Sequence, residues 1–267
     1  MSQHASVITP RPAATLVLLR DGRQGPEVFM LRRNTRSTFV GGAHVFPGGG
    51  VDEADRHPDV LALCHAFDDQ TASARLGMSD GGLAYWVAAI RECFEEAGVL
   101  LACDNRGEYL QDLPPRLHER LDDYRSRVMA GELALASLCH QEQLGLATSQ
   151  MHYFSHWITP EGLPRRYDTR FFLAAAPAGQ EGSACQQETV DQCWLRPAEA
   201  LDQWRRQHID LVFPTVKTLE ELASFDTTDA ALTTIGKRAS VDAVQPRIRQ
   251  HMGGTRVLLP GEPGYDD

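Results

Sequence analysis

Three glutamates close together on one predicted helix are the residues of this sequence best suited to metal chemistry. Glu92, Glu95 and Glu96 are spaced i, i+3 and i+4, which places them on one side of an α-helix beside Arg91. On a bare helix such carboxylates repel one another. A divalent cation reverses that repulsion, because Mg²⁺ and Mn²⁺ take oxygen ligands from carboxylates and phosphates together. The pattern therefore indicates either a solvated acidic face or a site where a metal meets a phosphate-bearing ligand.

The helix that carries these glutamates is predicted over about residues 82–97. Ser79 or Asp80 is available to cap its start, and Gly98 stands where a C-terminal glycine belongs. Upstream, the glycines at 48–50 follow a short predicted strand, where they permit positive φ angles and the close approach of a ligand. Apolar residues that recur with the helical period should face a core: Leu83, Val87, Ile90, Phe94 and Ala97.

The rest of the chain alternates between predicted strands and helices. Strands are expected at 13–20, 27–32, 152–159, 169–176 and 189–195, the first two as a hairpin. Helical character is expected at 56–80, 113–146, from Pro197 onwards and at 214–225, with short strands and turns at 246–267. Neither an internal repeat nor a clear linker is visible, so residues 1–267 are expected to form one domain.

Composition limits the partners and the location. The chain has 267 residues, of which 42% are hydrophobic and 23% charged, as in ordinary globular proteins. Its formal net charge of −10 argues against nucleic acid as a partner, since that partner requires a basic surface. No membrane span, secretory signal or Ser-Lys-Leu ending is visible, so a cytoplasmic location is expected. The six cysteines contain no Cys-x-x-Cys pair and are expected to be buried, reduced thiols.

The segment Arg91-Glu92-Cys93-Phe94-Glu95-Glu96-Ala97-Gly98-Val99, preceded by Phe46-Pro47-Gly48-Gly49 and by Asp55, resembles the signature of the Nudix hydrolases. That signature is Gly-x5-Glu-x7-Arg-Glu-aliphatic-x-Glu-Glu-x-Gly-aliphatic. Asp55 stands where the family has Glu, and Cys93 stands where it has an aliphatic residue. Thirty-five residues separate Asp55 from Arg91 instead of seven. A branch that resembles the peroxisomal coenzyme A diphosphatases carries such an insertion, and further matches to it are segments 156–160, 167–172 and 259–265.

The resemblance implies an α+β fold, a Nudix-type α/β/α sandwich with a mixed β-sheet and helical insertions. The insertion inside the signature is expected at 56–80, a helical segment at 104–150 and a C-terminal extension at 207–267. The metal ligands that the resemblance implies for Mg²⁺ or Mn²⁺ are Glu92, Glu95, Glu96 and the carbonyl oxygen of Gly48. Arg91 would orient a glutamate, and Asp55 would support the glycine loop.

The implied reaction is metal-dependent hydrolysis of a pyrophosphate bond in a nucleoside diphosphate linked to another moiety. The general base is either a glutamate of the signature or Glu188, which lies just before the predicted strand 189–195. Arg165, Arg166 and Arg170 flank a strand and are candidates to bind ligand phosphates, because Arg suits bidentate phosphate contacts. Surface exposure or internal pairing with Asp168 is the alternative for these arginines.

The substrate is less constrained than the reaction. The long insertion favours coenzyme A or acyl-CoA, cut to 3′,5′-ADP and a phosphopantetheine. A second coenzyme A signature is met only in part, because Gly42 precedes Phe46 correctly but Thr38 occupies its Arg position. NADH or ADP-ribose is the alternative substrate, and a non-catalytic nucleotide-binding module is the alternative class. Segments 56–80 and 113–146 are candidates for a homodimer contact or a lid. His44 and His156 are expected to pack or to form hydrogen bonds rather than to catalyse.

Overall fold

A computed structural model describes residues 8–35, 40–251 and 254–266 of the chain, and Thr38 lies outside these ranges. The described strands are β1 (Arg11–Gly22), β2 (Gly25–Arg33), β3 (His44–Val45), β4 (Gly48–Gly50), β5 (Ala102–Cys103), β6 (Gly145–Leu146), β7 (His152–Ile158), β8 (Tyr167–Ala175), β9 (Thr189–Leu195), β10 (Ala243–Val244), β11 (Arg247–His251) and β12 (Gly254–Leu258). The described helices are α1 (Pro58–Leu61), α2 (Asp69–Leu76), α3 (Leu83–Ala97), α4 (Pro115–His118), α5 (Leu121–Met129), α6 (Leu135–Glu142), α7 (Pro197–Arg205), α8 (Phe213–Leu222) and α9 (Thr228–Gly236). Two 3-10 turns lie at Glu53–Arg56 and Thr148–Gln150.

One mixed eight-stranded sheet organises the molecule. Its order is β10-β7-β8-β1-β2-β3, with β4 paired to β1 and β9 paired to β2. β1 runs parallel to β8 and β10 parallel to β7, whereas the other pairs of this sheet are antiparallel. The predicted hairpin is confirmed, with Leu19 of β1 opposite Val28 of β2. The strands β5–β6 and β11–β12 form two separate antiparallel pairs.

The two faces of the sheet are covered by different sets of helices. Because side chains alternate along a strand, Leu16 and Leu18 of β1 enter one apolar core and Val17 and Leu19 enter the other. The first core includes buried residues of α1 to α6, and the second includes buried residues of α7 to α9. The helix–sheet–helix layering and the mixed sheet confirm the predicted fold class. That the whole chain forms one domain stays a prediction.

Most predicted elements are found within a few residues of their expected bounds. The strand at Thr189–Leu195 matches exactly the predicted range, and the insertion carries the helices α1 and α2. The five apolar residues expected to face the core from α3 are all buried: Leu83, Val87, Ile90, Phe94 and Ala97. Helix α9 was not predicted. Its apolar residues Ala231 and Ile235 are four apart on one face, but the helix has only nine residues and three threonines, so its helical pattern is weak.

The start of α3 is capped from a distance rather than by its own flanking residues. The carboxylate of Asp69 accepts hydrogen bonds from the N–H groups of Gly81 at 2.8 Å and Leu83 at 2.9 Å. The hydroxyl of Ser73 accepts a third from the N–H of Gly82 at 2.9 Å. Both acceptors belong to α2, so the insertion supplies the caps that a helix start requires.

The prediction that Ser79 or Asp80 caps α3 is therefore wrong. These two residues bond to each other at the surface, with the Ser79 hydroxyl donating to the Asp80 carboxylate at 2.8 Å. The other end of α3 follows the prediction. Gly98 adopts a left-handed conformation with φ of 67°, and its N–H donates to the carbonyl oxygen of Phe94.

Candidate active site

Arg91 is the charged centre of the glutamate-bearing helix. Its Nε and Nη2 atoms grip the carboxylate of Asp55 at 2.8 Å and 2.9 Å, and Nη2 also donates to the carbonyl oxygen of Gly50 at 2.8 Å. Its Nη1 donates to Glu92 at 2.9 Å and to Glu95 at 3.3 Å. One guanidinium thus links the start of the insertion, the glycine strand and two of the three glutamates. This bidentate geometry is specific to arginine.

Asp55 is among the most buried charged groups near the site, with only 2% of its surface exposed. Besides its bidentate pair with Arg91, its carboxylate accepts the N–H of Asp52 at 2.8 Å and so closes the turn at Glu53–Arg56. A buried carboxylate is tolerated when it is paired and hydrogen-bonded in this way. The contacts place Asp55 between the glycine strand and α3, although thirty-five residues separate it from Arg91 in the sequence.

The glycines at 48–50 form the short strand β4, not a loop with positive φ angles. They are needed because neighbouring atoms approach so closely. A Cβ atom on Gly48 would lie 2.5 Å from the backbone oxygen of Ala14, and one on Gly49 would lie 2.4 Å from a carboxylate oxygen of Glu92. The N–H of Gly48 donates to the carboxylate of Glu96 at 3.0 Å. The positive φ angles that these glycines permit are not adopted, and the atoms that approach closely belong to Ala14 and Glu92. The close approach of a ligand stays a prediction.

The carboxylates of α3 lie in poorly solvated surroundings. Burial, opposed in part by Arg91, raises the pKa of Glu92 to about 7. Burial and the nearby charge of Glu92 raise the pKa of Glu96 to about 8. Burial also raises the pKa of Glu95. Desolvated carboxylates that repel one another are stabilised by an added cation, and perturbed pKa values of this kind are common at functional sites.

A cleft of about 660 Å³ opens over this acidic and glycine-rich surface. Glu92, Glu95 and Gly48 line it, as do Glu188 and Arg165, two residues singled out by the sequence. The charge of Glu188 also contributes to the raised pKa of Glu96. Further lining residues were not anticipated from the sequence, and they include Arg33, Asn34, Tyr167, Thr169 and Gln187. Tyr167 and Thr169 lie within the segment 167–172 that carries part of the family resemblance, so the sequence did contain a feature that could have indicated these two residues.

Arg166 and Arg170 do not reach the cleft, so their predicted role in binding phosphates is not supported. Arg166 is buried and donates to the backbone oxygens of Thr159 and Ile8 at 3.1 Å and 2.7 Å. Arg170 is also buried and forms an ion pair with Asp168, which was the alternative for it. In both cases the guanidinium holds neighbouring parts of the chain together instead of facing a ligand.

The two histidines behave as expected. The ring of His156 lies 2.5 Å from the Asp168 carboxylate, inside the cluster that contains Arg170. His44 lies on the edge strand β3, and burial lowers the pKa of its imidazole. Neither residue lines the cleft.

Arg125 is a residue of the site that the sequence did not reveal. It lies on α5 and is 7% exposed. Its Nε donates to the carbonyl oxygen of Glu95 at 2.8 Å, and its Nη2 donates to that of Glu96 at 2.7 Å. The same guanidinium contacts the backbone oxygen and hydroxyl of Ser183 at 2.8 Å and 3.0 Å. It therefore satisfies carbonyls that the last turn of α3 leaves without helical partners.

The donor chemistry of the site suits Mg²⁺ or Mn²⁺, because it consists of carboxylate and carbonyl oxygens. Within the described ranges, however, no three His, Cys, Asp or Glu side chains are grouped as a metal-binding set. The reason is visible in the contacts: Arg91 holds Glu92 and Glu95, whereas Glu96 is turned towards the N–H of Gly48. The residues nevertheless fit a divalent cation. They offer the oxygen donors that it prefers, and the three glutamates are all poorly solvated, so a bound cation would stabilise their charges.

Two general expectations can also be compared with the structure. All six cysteines are free, as predicted, and four of them are buried: Cys64, Cys93, Cys103 and Cys139. The expected burial is wrong for Cys185 and Cys193, which are half-buried. None of the helices in the described part of the chain is long and apolar enough to cross a membrane. The expected cytoplasmic location and homodimer contact stay predictions.

Comparison with known proteins agrees with these features. The family described as the NUDT19 Nudix domain matches residues 67–222, more than half of the chain. The chain is 29% identical to the acyl-coenzyme A diphosphatase NUDT19 of Gallus gallus, over 96% of this chain and 80% of that protein. It is also 29% identical to its counterpart from Homo sapiens, over 91% of this chain and 73% of that protein. A crystal structure of a Nudix hydrolase from Alicyclobacillus acidocaldarius superposes with a TM-score of 0.70 at 26% identity, covering 88% of this chain and 98% of that one.

Proposed function

Because the chain belongs to the family of the NUDT19 Nudix domain and is a Nudix pyrophosphohydrolase, we propose that it hydrolyses the diphosphate of coenzyme A or acyl-CoA. The products would be 3′,5′-ADP and a phosphopantetheine. The observation that carries the proposal is the buried arrangement in which Arg91 ties Asp55, Gly50 and two glutamates together beneath the cleft. The names of the relatives, acyl-coenzyme A diphosphatases, support the choice of substrate.

Nudix hydrolases generally use divalent metals, and we propose Mg²⁺ or Mn²⁺ for this chain. Glu92, Glu95, Glu96 and the carbonyl oxygen of Gly48 would hold it. When bound, the cation would neutralise phosphate charge and acidify a water molecule. Arg91 would release its Nη1 contacts with the glutamates but keep Asp55 and Gly50, so the helix and the glycine strand would remain joined.

The protein side chains in this proposal supply position, charge and a proton acceptor. Arg165 and Arg33 line the cleft beside the carboxylates and would bind phosphate oxygens, for which a guanidinium is well shaped. Glu188 lines the same cleft and would accept the proton of the attacking water, with a glutamate of α3 as the alternative base. The rest of the rate enhancement would come from fixed geometry and charge compensation, as in other phosphoryl transfers.

The test is hydrolysis of a substrate panel with identification of the products. Purified protein with Mg²⁺ or Mn²⁺ should convert coenzyme A and acetyl-CoA to 3′,5′-ADP, more efficiently than it converts NADH or ADP-ribose, and a chelator should abolish turnover. Glu96→Gln should lower kcat by at least about 100-fold and remain folded, whereas Glu220→Gln, on the exposed surface of α8, should behave as the unaltered protein. Preference for NADH or ADP-ribose would refute the substrate, and tight nucleotide binding without any product would indicate a non-catalytic module.

A further inference from the structure

A second cleft of about 600 Å³ lies beside the first one. Besides α3 and the turn at Glu53–Arg56, its walls come from α1 of the insertion, the end of α5 and the segment that leads into α6. The two clefts share the lining residues Asp52, Arg91 and Glu95. The volume lies within the range of about 300–1,000 Å³ that is usual for small-molecule sites. A ligand whose phosphates lie over the glutamates can therefore extend into the second cleft.

The two sides of the diphosphate in coenzyme A differ in charge and in shape. One side is adenosine with a 3′-phosphate, which is aromatic and carries a charge of about −1.5 to −2 from that phosphate near pH 7. The other side is the pantetheine arm, which is neutral and combines branched apolar carbon with amide and hydroxyl groups. Each side therefore requires different surroundings in the protein.

Negative charge dominates the second cleft. The described part of its lining holds the carboxylates of Asp52, Asp55, Asp59 and Glu95 but only one guanidinium, that of Arg91. Three of these carboxylates already form ion pairs with Arg91, so no net positive charge is left for a phosphate. Like charges that meet in a binding site cost free energy. The second cleft therefore disfavours the side of coenzyme A that carries the 3′-phosphate.

The same cleft suits the pantetheine arm. Apolar side chains such as Val60, Val87 and Leu133 line it, and they favour methyl and methylene groups that leave water. The side chains of Asp52 and Asp59 are largely exposed, so their carboxylates are able to accept hydrogen bonds from amide N–H groups. Hydrogen bonds to a charged acceptor are stronger than those between neutral groups. The lining thus combines apolar contact with acceptors for a neutral ligand that donates hydrogen bonds.

The first cleft offers the opposite surroundings. Arg33, Arg165 and Tyr167 line it and do not line the second cleft. A guanidinium is well shaped for phosphate oxygens, and an aromatic ring provides a surface on which a base can stack. Both features suit adenosine with its 3′-phosphate.

We propose that the second cleft binds the pantetheine arm of coenzyme A, whereas the 3′-phosphoadenosine side lies in the first cleft. This inference rests on the proposed function and adds the orientation of the substrate. It also assigns the selection of coenzyme A over NADH and ADP-ribose to the second cleft, because those two molecules lack the pantetheine arm.

The experiment uses the two products, 4′-phosphopantetheine and 3′,5′-ADP, as inhibitors of coenzyme A hydrolysis. Ala134→Trp adds a large side chain at an exposed position that lines the second cleft but not the first. Because each buried methylene contributes roughly a fourfold gain in affinity, this variant should raise Ki for 4′-phosphopantetheine by at least about tenfold and lower kcat/KM for coenzyme A similarly. Its Ki for 3′,5′-ADP should not change. The matched control is Ala74→Trp, at an exposed position of α2 outside both linings, and it should leave all three values within about twofold.

Ser137→Trp is a second variant at an exposed position of the second cleft, and it replaces Ala134→Trp if the latter does not fold. Unchanged inhibition by 4′-phosphopantetheine in a folded lining variant would overturn the orientation. So would a rise in Ki for 3′,5′-ADP as large as that for 4′-phosphopantetheine, or equal losses in Ala74→Trp. If the unaltered protein forms no 3′,5′-ADP from coenzyme A, the proposed function itself fails; if it forms this product but the inhibition follows another pattern, only the orientation fails.

Discussion

Replacing Arg125 by methionine tests whether α5 holds the catalytic helix in place. Arg125 donates four hydrogen bonds, three of them to the backbone oxygens of Glu95, Glu96 and Ser183. Methionine fills much of the same space but donates none of them. The loss leaves one buried carbonyl, that of Glu96, and two partly buried ones without this partner, at about 1 kcal/mol each. We therefore expect the free energy of unfolding to fall by about 3 kcal/mol, which corresponds to a Tm lowered by roughly 6–12 °C.

The same substitution should reduce activity in the protein that remains folded. Glu95 and Glu96 lose the contact that fixes their backbone, and a displacement of about 1 Å in a catalytic group can reduce a rate by about 100-fold. Arg125 does not itself line the cleft and acts through the backbone of Glu95 and Glu96, so it is a positioning residue. The assay combines urea unfolding, kcat/KM at a temperature well below Tm, and Mn²⁺ affinity by titration calorimetry, which a purely structural role would not change.

Arg127→Met is the control for this experiment. Arg127 lies on the same helix, but its side chain is 41% exposed, and its nitrogen is 3.6 Å from the carboxylate of Asp123. Such an ion pair contributes about 0–0.5 kcal/mol, so this variant should have nearly unaltered stability, activity and Mn²⁺ affinity. If Arg125→Met lost less than about 1 kcal/mol, or if it kept full Mn²⁺ affinity, the idea that α5 positions the glutamates would be refuted.

Three further predictions concern the charged and glycine residues of the site. Asp55→Asn should lower the free energy of unfolding by about 3 kcal/mol because it breaks a buried ion pair, as measured by urea unfolding. Gly49→Ala should lower kcat by about 100-fold with little change in Tm, since its methyl group would displace only the flexible carboxylate of Glu92. Without metal, stability should fall as pH rises from about 4.5 to about 8, because the pKa values of Glu92 and Glu96 are raised above those of the unfolded chain. Over the same range the affinity for Mn²⁺ should rise, which titration calorimetry can measure.

Each of these predictions has a matched comparison. Asp52→Asn removes a largely exposed carboxylate 3.6 Å from Arg91 and should cost less than about 0.5 kcal/mol; equal losses for both aspartates would contradict the burial argument. Gly48→Ala should lower Tm clearly, because its Cβ atom would meet the backbone of Ala14, and an equal effect on Tm from Gly49→Ala would be evidence against the argument from close approach. A metal-free stability that increased from pH 5 to pH 8 would contradict the titration argument.

The sequence predicted local features well and contacts between distant segments poorly. The apolar strip of α3, its C-terminal glycine and the hairpin of β1 and β2 depend on neighbours within a few residues, and all of them were found. The prediction of the caps of α3 was wrong because it chose the residues nearest in sequence, Ser79 and Asp80. Asp69 and Ser73 reach the start of the helix only because α2 folds back against it. Periodicity carries no information about such a return of the chain.

The arginines show the same limit from another direction. Arg165, Arg166 and Arg170 looked equivalent in the sequence, but only Arg165 lines the cleft. The side chain of Arg170 is determined by its pair with Asp168, two residues away on the same strand face. The role of Arg125 could not be predicted from the sequence, because three of its hydrogen bonds go to backbone carbonyls. Every residue has such a carbonyl, so no residue type in the sequence identifies these partners.

The long insertion inside the signature is compatible with the site because other contacts offset its cost. Lengthening the connection between Asp55 and Arg91 from seven residues to thirty-five adds about 1.4 kcal/mol of loop-closure entropy. Asp69 and Ser73 of the insertion accept three hydrogen bonds from N–H groups at the start of α3, which stabilise the helix by about 1 kcal/mol each. The insertion also buries Ala72 and Leu76 in the core. Gly82, the residue at the start of α3, provides no side-chain cap of its own. The helix therefore depends on the insertion at its start and on Arg125 at its end, so segments outside the signature fix the position of its glutamates.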